Sequence, residues 1–147
     1  FPYIPGLLTF REGPALLKTF EKIENEPDVI IFDGQGIAHP RRMGIATHSG
    51  ILLDRPSIGC AKSILTGKYV SVGEEEGDFT ILKDGNDTVG AVLRTKKGVS
   101  PVFISPGHKI DILTSIEIIL KCTEKYRLPE PVRQAHIFVK RLQKGRN

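Results

Sequence analysis

The order of elements predicts a mixed α/β fold in a single domain over residues 1–147. Three observations carry this. Short apolar, β-branched runs alternate with helical stretches in the first half of the chain. Later, three strand-like runs follow one another with no helix between them. The composition, 39% hydrophobic and 26% charged over 147 residues, is that of a globular domain with its own core. GPALLKTFEKIENE, residues 13–26, predicts the first helix. Pro14 suits its first turn. Leu16, Leu17, Phe20 and Ile23 recur at helical spacing, and Pro27 stops it. VIIF, residues 29–32, is too short for a helix and predicts a buried strand ending at Asp33 in a DGQG turn.

HPRRMGIATHSGILLD, residues 39–54, predicts a second helix with Pro40 near its start. Met43, Ile45, Ala46 and the 51–53 run supply its apolar face; Gly44 and Gly50 either weaken it or mark close backbone approach. SIGCA, residues 57–61, predicts a second strand with Lys62 at its end. DFTILKDGNDTVGAVLRT alternates and turns at Asp84-Gly85-Asn86-Asp87, as a hairpin does. PVFIS, residues 101–105, predicts another strand. A helix over 111–126 would bury Ile112, Ile116, Ile119 and Leu120, and a last helix from Pro131 to Lys144 carries an apolar stripe of Ala135, Phe138, Val139 and Leu142.

Composition excludes several function classes. No apolar run approaches the ~20 residues of a membrane span. Two cysteines exclude a disulfide scaffold and a cysteine-based zinc cluster, and favour a reducing, cytoplasmic setting. Charge is unevenly distributed. Residues 121–147 carry eight Lys/Arg and two acids, whereas the whole chain is only +4. Such a basic tail suggests a polyanionic partner, nucleic acid being the commonest; a solvated helix face is the alternative.

Candidate chemistry sits at strand ends and near the termini. Asp33 closes a buried strand, where α/β sheets gather ligands, and a carboxylate there can hold Mg²⁺ or simply stabilise the following turn. Gly34-Gln35-Gly36 begins a dinucleotide-like fingerprint, but His39 stands where a third glycine belongs. Glu12 precedes the first helix and suits its dipole or a metal. Lys62 can bind a phosphate or orient a water, or be an ordinary exposed lysine. His136 shares the last helix with Arg133, Lys140 and Arg141, and no histidine pair has zinc spacing. Cys60 reads as a small buried residue rather than a nucleophile. Pro2 and Pro5 stiffen the Tyr3-Ile4 tip, which can serve as a wedge between bases or as a plain turn.

In order along the chain, PYIPGLLTFRE, FDGQGIAHPRRMGIATHSG, IGCAKS, SPGH and RQAH resemble the endonuclease V family, inosine-specific nucleases of ribonuclease H-like fold. The resemblance covers essentially the whole chain. It implies an Mg²⁺- or Mn²⁺-dependent DNA repair enzyme that nicks the second phosphodiester 3′ of deoxyinosine, with some members preferring inosine in RNA. It implies metal ligation by Asp33, Glu12 and His136, and a place for Lys62 beside the scissile phosphate. It implies a strand-separating wedge of Pro2, Tyr3, Ile4 and Pro5, and a base pocket of Gly6, Leu8, Gly34, His39 and Gly59. The basic last helix, with Arg133, Lys140 and Arg141, would contact phosphates.

The chain starts at Phe1 rather than Met, as though entering mid-domain. By the resemblance it corresponds to the C-terminal two thirds of the family's domain and lacks the first strands, one of which carries a further metal-binding aspartate. The expectation is therefore weakened metal binding, little or no nicking, and an open sheet edge that a dimer would cover. The alternatives are a non-catalytic inosine- or branched-DNA-binding module, an inactive fragment, and a nucleotide-cofactor enzyme at the DGQG turn.

Overall fold

The computed structural model describes residues 8–146. Nine elements follow in the order α1 (Leu8–Phe20), β1 (Ile30–Phe32), α2 (Ile45–Leu53), β2 (Ser57–Ala61), β3 (Phe79–Asp84), β4 (Asp87–Leu93), β5 (Val102–His108), α3 (Ile112–Lys121) and α4 (Glu130–Lys144). The five strands form one sheet in the order β1-β2-β5-β4-β3. β1 and β2 are parallel, joined through α2, and every other pairing is antiparallel. This is the mixed α/β sheet that the element order predicts.

Strand alternation splits the core between two faces. Ile58, Cys60, Ala91, Leu93, Val102 and Ile104 face α3, which meets them with Ile116 and Ile119. Ala38, Ala61, Leu82, Val89, Val92 and Phe103 form a second cluster, and Phe32, Ile45 and Ala46 pack with Leu16 of α1 in a third. β2 is buried along its full length. Its continuous apolar run has helices or loops on both sides, which is why it does not alternate with polar residues.

Several element boundaries differ from the sequence expectation, each for a local reason. Helix α1 ends at Phe20, and Pro14 lies inside it rather than in its first turn. Ile23 therefore falls beyond the helix and is exposed. Helix α2 starts at Ile45, not near Pro40, because Gly44 is extended and acts as its N-cap. Residues 39–44 are a loop in which Arg42 adopts a left-handed φ of 55°. Strand β5 runs on through Pro106 to His108, where a break was expected. Pro106 costs no β4 hydrogen bond, since β4 pairs only with Val102–Ile104, and the register with β2 shifts between Ser57 and Ile58.

Helix α3 stops at Lys121 instead of continuing to 126. Residues 122–129 form a loop whose Cys122 carbonyl accepts the Glu130 N–H at 2.7 Å. Pro129 disfavours helical backbone before it. Helix α4 matches its expected span within a residue, but its stripe does not turn inward. Val132 is buried at 3% exposure, whereas Phe138, Val139 and Leu142 are 62%, 50% and 53% exposed.

Candidate active site at the carboxyl edge of the sheet

Two adjacent parallel strands deliver their following residues to the same sheet edge. Phe32 of β1 pairs with Gly59 of β2, so Asp33 and Lys62 both emerge there. His136 reaches the same point from α4. Its Nε2 lies 2.6 Å from Asp33 Oδ2, and Lys62 Nζ lies 3.4 Å from both atoms. These side chains remain open to solvent, at 43% exposure for Asp33, 44% for Lys62 and 32% for His136. One carboxylate, one ammonium and one imidazole thus converge from three separate elements.

Beside them lies a cavity of ≈ 290 Å³, at the small end of the range for ligand pockets. Asp33, Gly34, Gln35 and His39 form one wall; Ala61, Lys62, Ser63, Ile64 and Leu65 form the other. Gln35 Nε2 donates to the Ser63 carbonyl at 3.1 Å, tying the two walls together. His39 is 4% exposed and takes the Arg41 N–H on Nδ1 at 3.1 Å. Arg42 extends the network outward. It donates to the His39 carbonyl and to Asp84 and Asp87 at the hairpin turn, each at 2.9 Å. Those two carboxylates raise the Arg42 pKa, Asp87 contributing most.

Gly59 stands behind this pocket rather than in its lining. A Cβ there would lie 2.4 Å from Gly36 N and 2.7 Å from the Gly34 carbonyl oxygen, so the DGQG turn rests directly on β2 main chain. Gly36 also donates to the buried Ser105 Oγ at 2.7 Å. The turn that aims Asp33 is therefore fixed from below by β2 and from the side by β5. Cys60 lies beneath the cluster, fully buried; burial first and the Asp33 charge second push its thiol up to about 12.

Glu12 occupies an exposed position on α1 and makes no cluster with Asp33 and His136. Among the described residues no three His, Cys, Asp or Glu side chains gather in metal-binding geometry. Pro2, Tyr3, Ile4, Pro5 and Gly6 lie outside the described residues, and Leu8 opens α1. Of the basic residues on α4, Arg133 is engaged locally: it pairs with Glu130 at 2.8 Å and covers the Tyr126 ring at 4.5 Å. That pairing raises the Arg133 pKa and lowers that of Glu130. Lys140 and Arg141 are exposed further along the helix. Gln35, Arg42, Ser105 and Arg127 shape the site without having been singled out from the sequence. Ser105 begins the SPGH motif, and Gln35 and Arg42 lie within FDGQGIAHPRRMGIATHSG, so motif membership was the available signal for these three; nothing in the pattern marks Arg127.

A mixed sheet flanked by helices, with these groups on its carboxyl edge, places the chain among proteins of ribonuclease H-like architecture. The endonuclease V family model matches residues 1–137, and the chain belongs to that family. It is 62% identical over 141 residues to endonuclease V of Dictyoglomus thermophilum, covering 96% of this chain and 62% of the relative. It is 59% identical over 138 residues to that of Methanothrix thermoacetophila, covering 94% and 61%. The crystal structure of endonuclease V from Streptomyces avermitilis superposes with a TM-score of 0.92 at 44% identity, covering 99% of this chain and 64% of that one. The Ciona intestinalis enzyme, crystallised with a 24mer DNA containing an inosine followed by a ribo-adenosine, gives 0.84 at 29% identity, covering 100% and 70%. The chain thus spans about 62% of the length of curated relatives such as the Dictyoglomus protein.

Proposed function

We propose that this chain acts on inosine-containing nucleic acid as part of a metal-dependent endonuclease that nicks the second phosphodiester 3′ of deoxyinosine. The observation that carries the reading is the convergence of Asp33, Lys62 and His136 beside the ≈ 290 Å³ pocket. Family membership and the inosine-containing DNA bound by the Ciona enzyme support it.

Asp33 and His136 supply a carboxylate oxygen and an imidazole nitrogen, a donor pair that suits Mn²⁺ and, with waters retained, Mg²⁺. When bound, such an ion supplies an activated water and Lewis-acid stabilisation of the phosphate. Glu12 would have to join this pair to complete the set that the resemblance implies. With two donors in contact, metal affinity is expected to be low and nicking by this chain weak or absent. Lys62 Nζ holds a positive charge beside Asp33, where it can stabilise negative charge building on a phosphate oxygen. Hydrolysis breaks the bond from phosphorus to the 3′ oxygen, leaving 3′-hydroxyl and 5′-phosphate ends. The Gly34–His39 wall and the residues opposite it would receive a base taken out of its stack. The wedge proposed for this step is Pro2, Tyr3, Ile4 and Pro5, and the pocket would also draw on Gly6, Leu8 and Gly59. Arg133, Lys140 and Arg141 would contribute phosphate contacts, with affinity falling as salt rises.

A labelled duplex with one deoxyinosine, incubated with Mg²⁺ and then Mn²⁺, tests the reading against an Asp33→Ala control. A matched strand with inosine in RNA separates the two substrate classes. Inosine-selective binding, with metal-dependent nicking that is weak or absent and, where present, lost in the control, is the expected result. Equal binding of inosine and guanosine strands without nicking would refute it. The same reading gives the chain a partner surface: among the described residues β1 lies at the edge of the sheet and the α4 stripe is exposed, and a second copy would cover both. A sedimentation mass of one chain at micromolar concentration would refute the dimer.

A further inference from the structure

We propose that Arg127, in the loop between α3 and α4, is a positioning residue that holds Lys62 against Asp33. Its role in the reaction rests on the function proposed above; the placement of Lys62 does not. The last register pair between β2 and β5 is Ala61 with Phe103. Two residues before Phe103 comes Pro101, which has no N–H to offer a ladder. Lys62 therefore leaves the sheet just where main-chain pairing runs out. The Arg127 guanidinium takes over at this point. Its Nη2 donates to the Lys62 carbonyl at 2.9 Å and to the Pro101 carbonyl at 2.7 Å, joining the two strands across the end of their seam.

The loop holding Arg127 is itself anchored. Thr95, 1% exposed, donates its hydroxyl to the Arg127 carbonyl at 2.6 Å. The next residues carry the chain into α4, and Arg133 of that helix lies over Tyr126, the neighbour of Arg127. One short loop therefore touches the main chain of Lys62 and the helix that presents His136. Arg127 Nε is buried without a hydrogen-bond partner. An orphaned buried donor is costly and persists where surrounding contacts over-determine the side chain. Here those contacts are the two carbonyls beyond the seam. A lysine at this position would keep the charge but carry it on a flexible stem, without the rigid guanidinium plane that fixes Nη2 between the two carbonyls.

Arg127→Lys is the first test, with Thr95→Val as a second variant that loosens the loop while leaving the guanidinium in place. Thermal unfolding establishes that each variant is folded. In the nicking assay the expected result is a kcat about 10- to 100-fold lower with little change in KM. Introduced into Lys62→Ala, the same Arg127→Lys change should alter the residual rate by less than about twofold, because its route of action is already gone. Equal losses in both backgrounds would overturn the proposal and leave Arg127 a general structural residue. A readout independent of the reaction is the Lys62 side-chain resonance in lysine-labelled protein, assigned by Lys62→Arg. Asp33→Asn should shift it in the parent chain and shift it less in Arg127→Lys and Thr95→Val. Equal shifts in all three would overturn the proposal even if the parent chain neither binds nor nicks inosine strands. Failure of the inosine assays with unequal shifts would instead refute the proposed function and leave this placement standing.

Discussion

Replacing Gly59 by alanine should disable the site through the backbone alone. The new Cβ would sit 2.4 Å from Gly36 N, so the DGQG turn must withdraw by about 0.6 Å to reach even the 3.0 Å floor of real Cβ contacts. The atoms it meets are main chain, and no flexible side chain can swing away. Retreat is blocked on the other side, because Gly36 already lies against the Pro106 carbonyl and is held by Ser105 Oγ at 2.7 Å. Overpacking in a full core costs about 1–3 kcal/mol, and lengthening a buried hydrogen bond adds about 1 kcal/mol. A loss of roughly 2–4 kcal/mol follows, lowering the urea midpoint by about 1–2 M for a typical urea slope. Gly13→Ala is the internal control. Its Cβ would meet only Thr9 Cγ2, at an ordinary 3.5 Å, inside a helix. The helix gain of about 0.5–1 kcal/mol is opposed by Pro14, which crowds a Cβ on the residue before it, so stability should change by less than about 1 kcal/mol. Urea unfolding of both variants, followed by inosine-strand binding under folded conditions, checks the reasoning. A Gly59→Ala chain as stable as its parent and binding as well would refute the claim that the turn rests on β2.

Cys60 should resist alkylation in the folded chain at mildly alkaline pH, since its thiol is pushed up to about 12 and is fully buried, while half-buried Cys122 reacts first; peptide mass spectrometry separates the two. On α4, Val132→Ala should cost about 1–3 kcal/mol, whereas Phe138→Lys, at 62% exposure, should change the stability of the single chain, at concentrations too low for a dimer, by less than about 0.5 kcal/mol. Asp111 caps α3 by accepting the Thr114 N–H at 2.8 Å, and this bond, with help from the Thr114 hydroxyl, holds its carboxyl below the usual carboxylate range. A depressed folded pKa gives stability that is present above the unfolded value and lost as pH falls through the folded one. Asp111→Asn keeps a cap but removes the charge, so the parent's advantage over it should be greatest near neutral pH and vanish in acid; unfolding curves at several pH values show this.

The chain order revealed most of the sheet, because the apolar runs at 29–32 and 57–61 and the Asp84–Asp87 turn are local signals that tertiary packing did not override. Boundaries failed where one residue admits two uses. Pro14 reads equally as a helix start or as an interior residue, and Pro106 ends an isolated strand but not one whose neighbour has already stopped pairing. The candidate residues Asp33, Lys62 and His136 were singled out through motifs, and the resemblance implied that they meet, but periodicity and spacing alone did not show the convergence. It depends on parallel pairing of β1 with β2 and on a helix arriving from far along the chain. Arg127 acts on main-chain carbonyls, as does Gln35 from within the DGQG turn, and such bonds cannot be read from residue type or spacing.

His136 and Asp33 are 103 positions apart, and the helix that bridges this distance is seated chiefly by Val132 and by the Glu130 N–H at its base. Beyond that seat Phe138, Val139 and Leu142 face solvent. Docking α4 orders the helix and the segment 122–129 after α3, and a small seat offsets that entropic cost only modestly. Undocking of α4 is therefore a local opening of low free energy, which leaves the sheet and its hydrogen-bond ladder whole. Amide exchange in α4 would outpace that in β2 and β5 by the ratio of local to global opening. The complete constellation is populated only while the helix is docked, and apparent affinity scales with that fraction. Anything that covers Phe138, Val139 and Leu142 would raise the docked fraction, and with it the share of molecules in which His136 meets Asp33, without touching either residue.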